Sequence, residues 1–162
     1  MQALVPNSGV AGYRAAFTYC VNGKPLRGAA YQPVTVLYRR DVARYVQDGH
    51  TQRVQVRGEI LSLDERIYHD DRKPLTHWLA AQARYMRLEA DKLHSVRFGA
   101  LGRADQLRRL VIFAPVAMFF YCLFVRGCVL DGRPGLFYAF QRAVAEAILS
   151  LYLIERNMHQ RP

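Results

Sequence analysis

The chain is poor in lysine, with three against twenty arginines. Arginine suits bidentate phosphate binding, yet the same bias follows from a GC-rich genome and carries no function by itself. Cysteine is also scarce: Cys20, Cys122 and Cys128. An odd count, with two of the three in or beside an apolar segment, gives neither a disulfide framework nor a metal spacing and fits a reducing compartment. There is no phosphate-cradling glycine loop, no Gly-x-Ser-x-Gly, no Cys/His zinc spacing and no Asp-x-Asp. Those absences remove the P-loop, serine-hydrolase and zinc-site readings. No nucleic-acid motif accompanies the charge, which argues against a nucleic-acid partner. Met1 to Pro6 lacks the charged region and apolar core of a secretory leader, so none is predicted.

What is present is basic and apolar. The 162 residues are 51% hydrophobic with a net charge of +10, enough for one core and too apolar for a disordered chain. The charge is uneven. Residues 1–71 carry nine Lys/Arg and seven Asp/Glu, a net of +2, whereas residues 72–162 carry fourteen and six, a net of +8. The basic half also holds the long apolar runs, a combination that favours an anionic membrane surface.

Three zones separate along the chain. Residues 1–70 read as short strands. Ala16–Val21 is a β-rich run ended by Asn22-Gly23, which favours a tight hairpin turn. Val34–Tyr38 is nearly continuous in apolar residues, as in a buried strand. Arg53–Arg57 alternates, and Ile60–Leu63 and Arg66–Tyr68 are further short strands. In residues 71–109 the spacing predicts an amphipathic helix from Pro74 to Leu93, followed by a basic connector. Leu75, Trp78, Leu79, Gln82, Tyr85, Met86 and Leu93 share its main face, Pro74 suits its first turn, and Asp71 or Lys73 lies near its cap.

Residues 110–162 read as an apolar helical hairpin. Leu110–Val125 has no charge and would be roughly 24 Å long as a helix, short of a bilayer core of about 30 Å. After the turn Asp131-Gly132-Arg133-Pro134-Gly135, Leu136–Ile154 is interrupted by Arg142 and Glu146, one helical turn apart and able to pair. Arg126 and Arg133 lie at the turn, which favours a hairpin held in one leaflet over two short spans. A buried core hairpin is the third alternative. The overall fold expectation is α+β.

Three groups of residues could carry chemistry. The first is His69-Asp70-Asp71-Arg72-Lys73, at a strand-to-helix junction. Arg72 and Lys73 could neutralise a diphosphate while His69, Asp70 or Asp71 contacts an acceptor or a metal. The alternative is helix capping within a solvated charge cluster. The second is Asp48-Gly49-His50. His50 could serve as a general base, a metal ligand or an acceptor contact, with Asp48 beside it, or it could be a solvent-facing turn residue. The third is the aromatic and basic run around Tyr13-Arg14, Phe17, Tyr19 and Tyr31. Its rings could stack on a sugar or a base, or simply pack within strands.

The stretch His69-Asp-Asp-Arg-Lys-Pro-Leu-Thr-His-Trp-Leu79 resembles a His-x-Asp-Arg-Lys-Pro-Leu-x-x-Trp-Leu box of bacterial family-2 glycosyltransferases of the lipopolysaccharide-core type. Gly23-Lys-Pro-Leu-Arg-Gly28, Leu37-Tyr-Arg-Arg40, Leu123-Phe-Val-Arg-Gly127 and Gly135-Leu-Phe-Tyr-Ala-Phe-Gln-Arg142 extend the resemblance over residues 12–155. It implies the C-terminal part of such an enzyme, either a truncated reading frame or a fragment. It also implies a location at the cytoplasmic face of a bacterial inner membrane. The intact enzyme would take a nucleotide sugar, a glycan or lipid acceptor and a divalent metal (Mg or Mn). The metal motif and the nucleotide-sugar-binding half are missing here. In the wider family a histidine followed by Glu stands near the position of His50, but Thr51 takes the Glu position. A small basic membrane-associated interaction protein without catalysis is the alternative reading.

Overall fold

The computed structural model describes residues 9–159. Its fold is mixed α/β, ending in one long helix. The longest strands are β1 (Val10–Val21) and β6 (Glu59–Asp70). They run parallel, with Tyr19 opposite His69 and Cys20 opposite Asp70. The other edge of β1 holds β2 (Lys24–Pro25) and β3 (Val34–Tyr38), both antiparallel. Asn22 and Gly23 turn β1 into β2 with φ of 50° and 79°, the left-handed pair that a two-residue hairpin needs.

Several sequence expectations need correction. β3 is not a buried strand: it lies at an edge, with Val34 and Leu37 exposed. Ile60–Leu63 and Arg66–Tyr68 are not separate strands. Both belong to β6, because pairing with β1 carries the ladder across the charged Asp64-Glu65 step with a register shift there. The alternating run near Arg53 lies in β5 (Thr51–Val56), which pairs only with β4 (Ala43–Asp48). This hairpin forms a second, two-stranded sheet.

Helix α1 spans Leu75–Ser95. Pro74 occupies its N-cap and no side chain caps it, so neither Asp71 nor Lys73 has that role. Its buried residues are Met86, Glu89, Ala90 and Leu93, while Leu75 and Leu79 are exposed. The predicted stripe therefore holds only towards the C-terminal half, where other helices cover it. A short helix α2 (Arg103–Arg108) follows.

The first apolar arm is helical from Phe113 to Val125, starting three residues later than expected and ending in a wider π turn. It comprises α3 (Phe113–Phe120) and a π-helical stretch over Tyr121–Val125. Before it, Val111 adopts φ of 57°, a strained value for a β-branched residue. Ser150 Oγ donates a 2.6 Å hydrogen bond to the Val111 carbonyl. Pro115 lies in the first turn of α3, where the missing N–H costs least.

The second arm is longer than its apolar run. Helix α4 spans Gly132–His159. Pro134 fits its first turn, and Gly135 lets that turn lie directly against the Cys128 carbonyl, where a Cβ would clash. α4 joins two cores. Tyr138 and Ala139 pack with Val21, Leu26, Ala29, Cys122, Leu123 and Cys128. Leu149 and Leu153 pack with Met86, Ala90, Leu93 and Leu101. Gly28 lies against the Arg126 carbonyl, again with no room for a Cβ. Cys128 Sγ donates to the Gly28 carbonyl at 3.0 Å, and the Ala30 N–H donates to the Tyr138 hydroxyl at 2.9 Å. These contacts seat the loop after β2 on the start of α4.

Candidate functional site

The sequence-predicted polar residues fall in two places. Asp48 and His50 form the tip of the β4–β5 hairpin and reach α1. The His50 backbone N–H and the imidazole Nδ1 meet the same Glu89 oxygen, at 3.1 and 2.6 Å. Gly49, at φ of 59°, lies so close to Glu89 that a Cβ would displace the carboxylate. Asp48 pairs with Lys92 at 2.6 Å and with Arg53.

The pairs extend inward as one network. Lys92 also meets Asp105 at 3.1 Å, and Asp105 lies 3.4 Å from Arg108. Arg108 lies 3.7 Å from Glu89 and donates to both oxygens of Glu146 at 2.8–3.2 Å. Arg142, predicted to be the partner of Glu146, is only a secondary one at 3.9 Å. Glu89 and Glu146 are both buried.

Burial alone would raise the Glu89 pKa. The hydrogen bonds and charge of His50, with Arg108 behind them, overcome that and lower it to about 2. Burial would lower the Lys92 pKa, but Asp48 and Asp105 raise it above its ordinary value. Sequence reading missed Glu89, Lys92, Asp105 and Arg108 because their contacts join α1 to α2 and α2 to α4. The only available signal was a glutamate, Glu89, on the predicted apolar side of α1.

His69 to Lys73 lie elsewhere, at the end of β6 and in the loop before α1. Their ion pairs are local. Arg72 pairs with Asp70 at 2.7 Å and Lys73 with Asp71 at 3.3 Å. The hydrogen bond from Arg72 holds the Asp70 carboxyl below the usual carboxylate range. The Arg72 and Lys73 side chains remain largely exposed beside these partners. His69 faces rings: its centroid is 5.4 Å from Tyr19 and 5.5 Å from Tyr31. Phe17 lies 5.2 Å from Tyr31, and Tyr138 lies 4.9 Å from Tyr19. The aromatic run and the charged box, far apart in sequence, thus meet.

Among the described residues, no three His, Cys, Asp or Glu side chains converge to hold a metal ion. Asp48, Asp70 and Asp71 are engaged by cations of the protein, and His50 by Glu89.

A third feature is apolar. Ile112 (75% exposed), Phe113, Val116, Phe120, Phe124 and Val125 (72%) leave the first arm largely uncovered. Val129, Leu130, Phe137 and Phe140 continue the exposure through the turn into α4. Arg126 and Arg133 are exposed at the same turn. The helical stretch Cys128–His159 is long and apolar enough to cross a membrane by length and composition alone.

No protein-family model matches the chain, and neither a curated protein nor a solved structure matches it.

Proposed function

We propose that this chain is the acceptor-side, membrane-attached part of a family-2 glycosyltransferase that moves a sugar from a nucleotide-sugar donor to a cell-envelope glycan or lipid. The attachment rests on one observation, the exposed apolar side chains of residues 112–140 beside exposed arginines. Water would meet an unusually apolar surface there, whereas an anionic leaflet takes up both the rings and the cations. The transferase part rests on the resemblance of the His69–Leu79 box.

In the intact enzyme an acceptor hydroxyl would attack the anomeric carbon. The new C–O bond would form as the bond to the nucleoside diphosphate breaks, and a carboxylate base would take the hydroxyl proton. On this reading the base, the divalent metal and the donor site would belong to a nucleotide-sugar-binding half outside these 162 residues. Arg72 and Lys73 would face the diphosphate, and the aromatic residues beside His69 the acceptor. The reading places the protein at the cytoplasmic face of a bacterial inner membrane.

The engagement of Asp48 and His50 in ion pairs favours a second reading, a membrane-associated interaction protein without catalysis. Both readings require membrane attachment, which vesicle flotation tests. The protein should float with vesicles containing anionic lipid and less with neutral ones. Phe113→Ser/Phe124→Ser should abolish flotation without unfolding the chain, since both rings are exposed. Equal flotation of that variant and the wild type would reject the attachment. An Asp-x-Asp and a strand–helix–strand pattern encoded upstream of Met1 would decide for the transferase, and an intact promoter there for the interaction protein.

A further inference from the structure

We infer that Tyr19, Tyr31 and His69 form the floor of a saccharide site whose edge, Arg142, reads a carboxylate or phosphate on the sugar. The inference rests on the acceptor-side reading and gives it a place and a ligand class.

The floor follows from strand geometry. Phe17 and Tyr19 are two apart on β1 and so face the same side. His69 stands opposite Tyr19 on β6. Tyr31, from the connection to β3, lies within 5.2–6.3 Å of Phe17, Tyr19 and His69 between ring centroids. Tyr138, 3% exposed, supports Tyr19 from below, while Tyr31 is 42% exposed at the top. The stack is therefore anchored in the core at one end and open to a ligand at the other. An aromatic face receives the C–H side of a pyranose ring, and a few polar groups around it fix the orientation.

Arg142 supplies an unusual polar edge. It lies one helical turn beyond Tyr138 on α4. Its Nε is buried without a hydrogen-bond partner. Its acidic neighbour Glu146 is already taken by Arg108 at 2.8 Å, which leaves Arg142 only the 3.9 Å approach. The Arg142 side chain is 30% exposed and only loosely paired with Glu146, and a guanidinium fork of that kind matches carboxylate or phosphate oxygens. Burial raises the Tyr19 pKa, the charge of Asp71 adds to the rise and that of Arg142 opposes it. Arg142 follows by one turn of α4 the Tyr138 ring that packs 4.9 Å from Tyr19 and would meet the anionic substituent, while Asp71, two residues after His69, would accept hydrogen bonds from sugar hydroxyls.

The test is direct binding to the whole chain, read by saturation-transfer NMR and calorimetry. The probes are a glucuronic-acid-terminated disaccharide, a disaccharide phosphate, their neutral counterpart, inorganic phosphate and a nucleoside monophosphate. The two anionic sugars should bind best, and comparison of their affinities distinguishes carboxylate from phosphate. Tyr31→Ala should weaken every sugar about tenfold. Arg142→Gln should bring the anionic sugars to the level of the neutral one, and Arg142→Lys should restore part of the difference. Tyr31 is exposed, so its variant tests the floor even if Arg142 variants misfold. Binding of the anionic sugars that is absent, unchanged in Tyr31→Ala, no better than that of the neutral sugar, or weaker than that of the nucleoside monophosphate or inorganic phosphate overturns the inference. Flotation reads a different surface, so either claim can fail alone.

Discussion

The hairpin tip and the loop before α1 are both rich in charge, and they use it in opposite ways. Around Glu89 and Glu146, charges from β4, α1, α2 and α4 meet in a partly buried network. At Asp70 to Lys73 the pairs join residues two apart, and exposed cations lie on carboxylates that are themselves only 21% and 22% exposed. Buried pairs are expensive to break, because the remaining charge cannot rehydrate. Exposed pairs contribute little, because water and salt replace them. The first region is therefore a structural clamp between the hairpin and the helices. The second leaves its cations exposed, each paired with an aspartate two residues away.

The largest effect should come from cutting the clamp at its most buried acid. Glu146→Ala leaves Arg108 facing Asp105 and Glu89 at 3.4 and 3.7 Å, without its strongest partner. The expected cost is about 3–5 kcal/mol, a fall in Tm of about 10 °C for a chain of this size, measured by urea and thermal unfolding. Adding Arg108→Met should recover part of the loss. A single-variant cost below about 1 kcal/mol would mean that the network is solvated after all.

The clamp should also carry an acid signature. Glu89 has its folded pKa depressed from 4.5 to about 2. Its contribution is thus fully present above pH 4.5 and is lost as pH falls towards 2. The span corresponds to about 3 kcal/mol. Wild-type stability should decline through that window. Glu89→Gln should be less stable at neutral pH and lack this part of the slope, so the two curves converge near pH 2. Parallel curves in stability–pH titrations would show that Glu89 is not the group responsible.

The same contrast explains what the sequence disclosed. The Asn22-Gly23 turn, the start of α1 after Pro74 and the two apolar arms are local, set by backbone preference and by runs of like residues. The clamp is not local. Asp105 and Arg108 are one helical turn apart, but Glu89, that pair and Glu146 are widely spaced, and no period marks the three as partners. Arg142 and Glu146 looked like a simple one-turn pair, yet Arg108, from another helix, takes the better geometry. Leu75 and Leu79 failed for the same reason: amphipathic spacing identifies a face but not whether anything covers it. The aromatic run was legible as a group of rings. Its meeting with His69 required the parallel pairing of β1 and β6, a contact about fifty residues apart.

The smallest stability effect should come from the exposed loop, and there it separates the two readings. Arg72→Ala/Lys73→Ala removes two cations whose side chains are 70% and 60% exposed. Each has its ion-pair partner only two residues away, and no side chain of the loop caps α1. Thermal unfolding should therefore shift by less than about 2 °C, and anionic vesicles should still recruit the protein through residues 112–140. Sugar transfer by the chain joined to a nucleotide-sugar-binding half should respond differently. If the two cations meet the donor diphosphate, transfer falls at least about tenfold, because charge developing on a leaving phosphate is no longer offset. A variant that keeps its Tm and membrane binding but loses transfer assigns the loop to catalysis. One that keeps all three leaves the loop as the entry to α1, with the clamp and the exposed apolar surface of residues 112–140 as the features that organise the molecule.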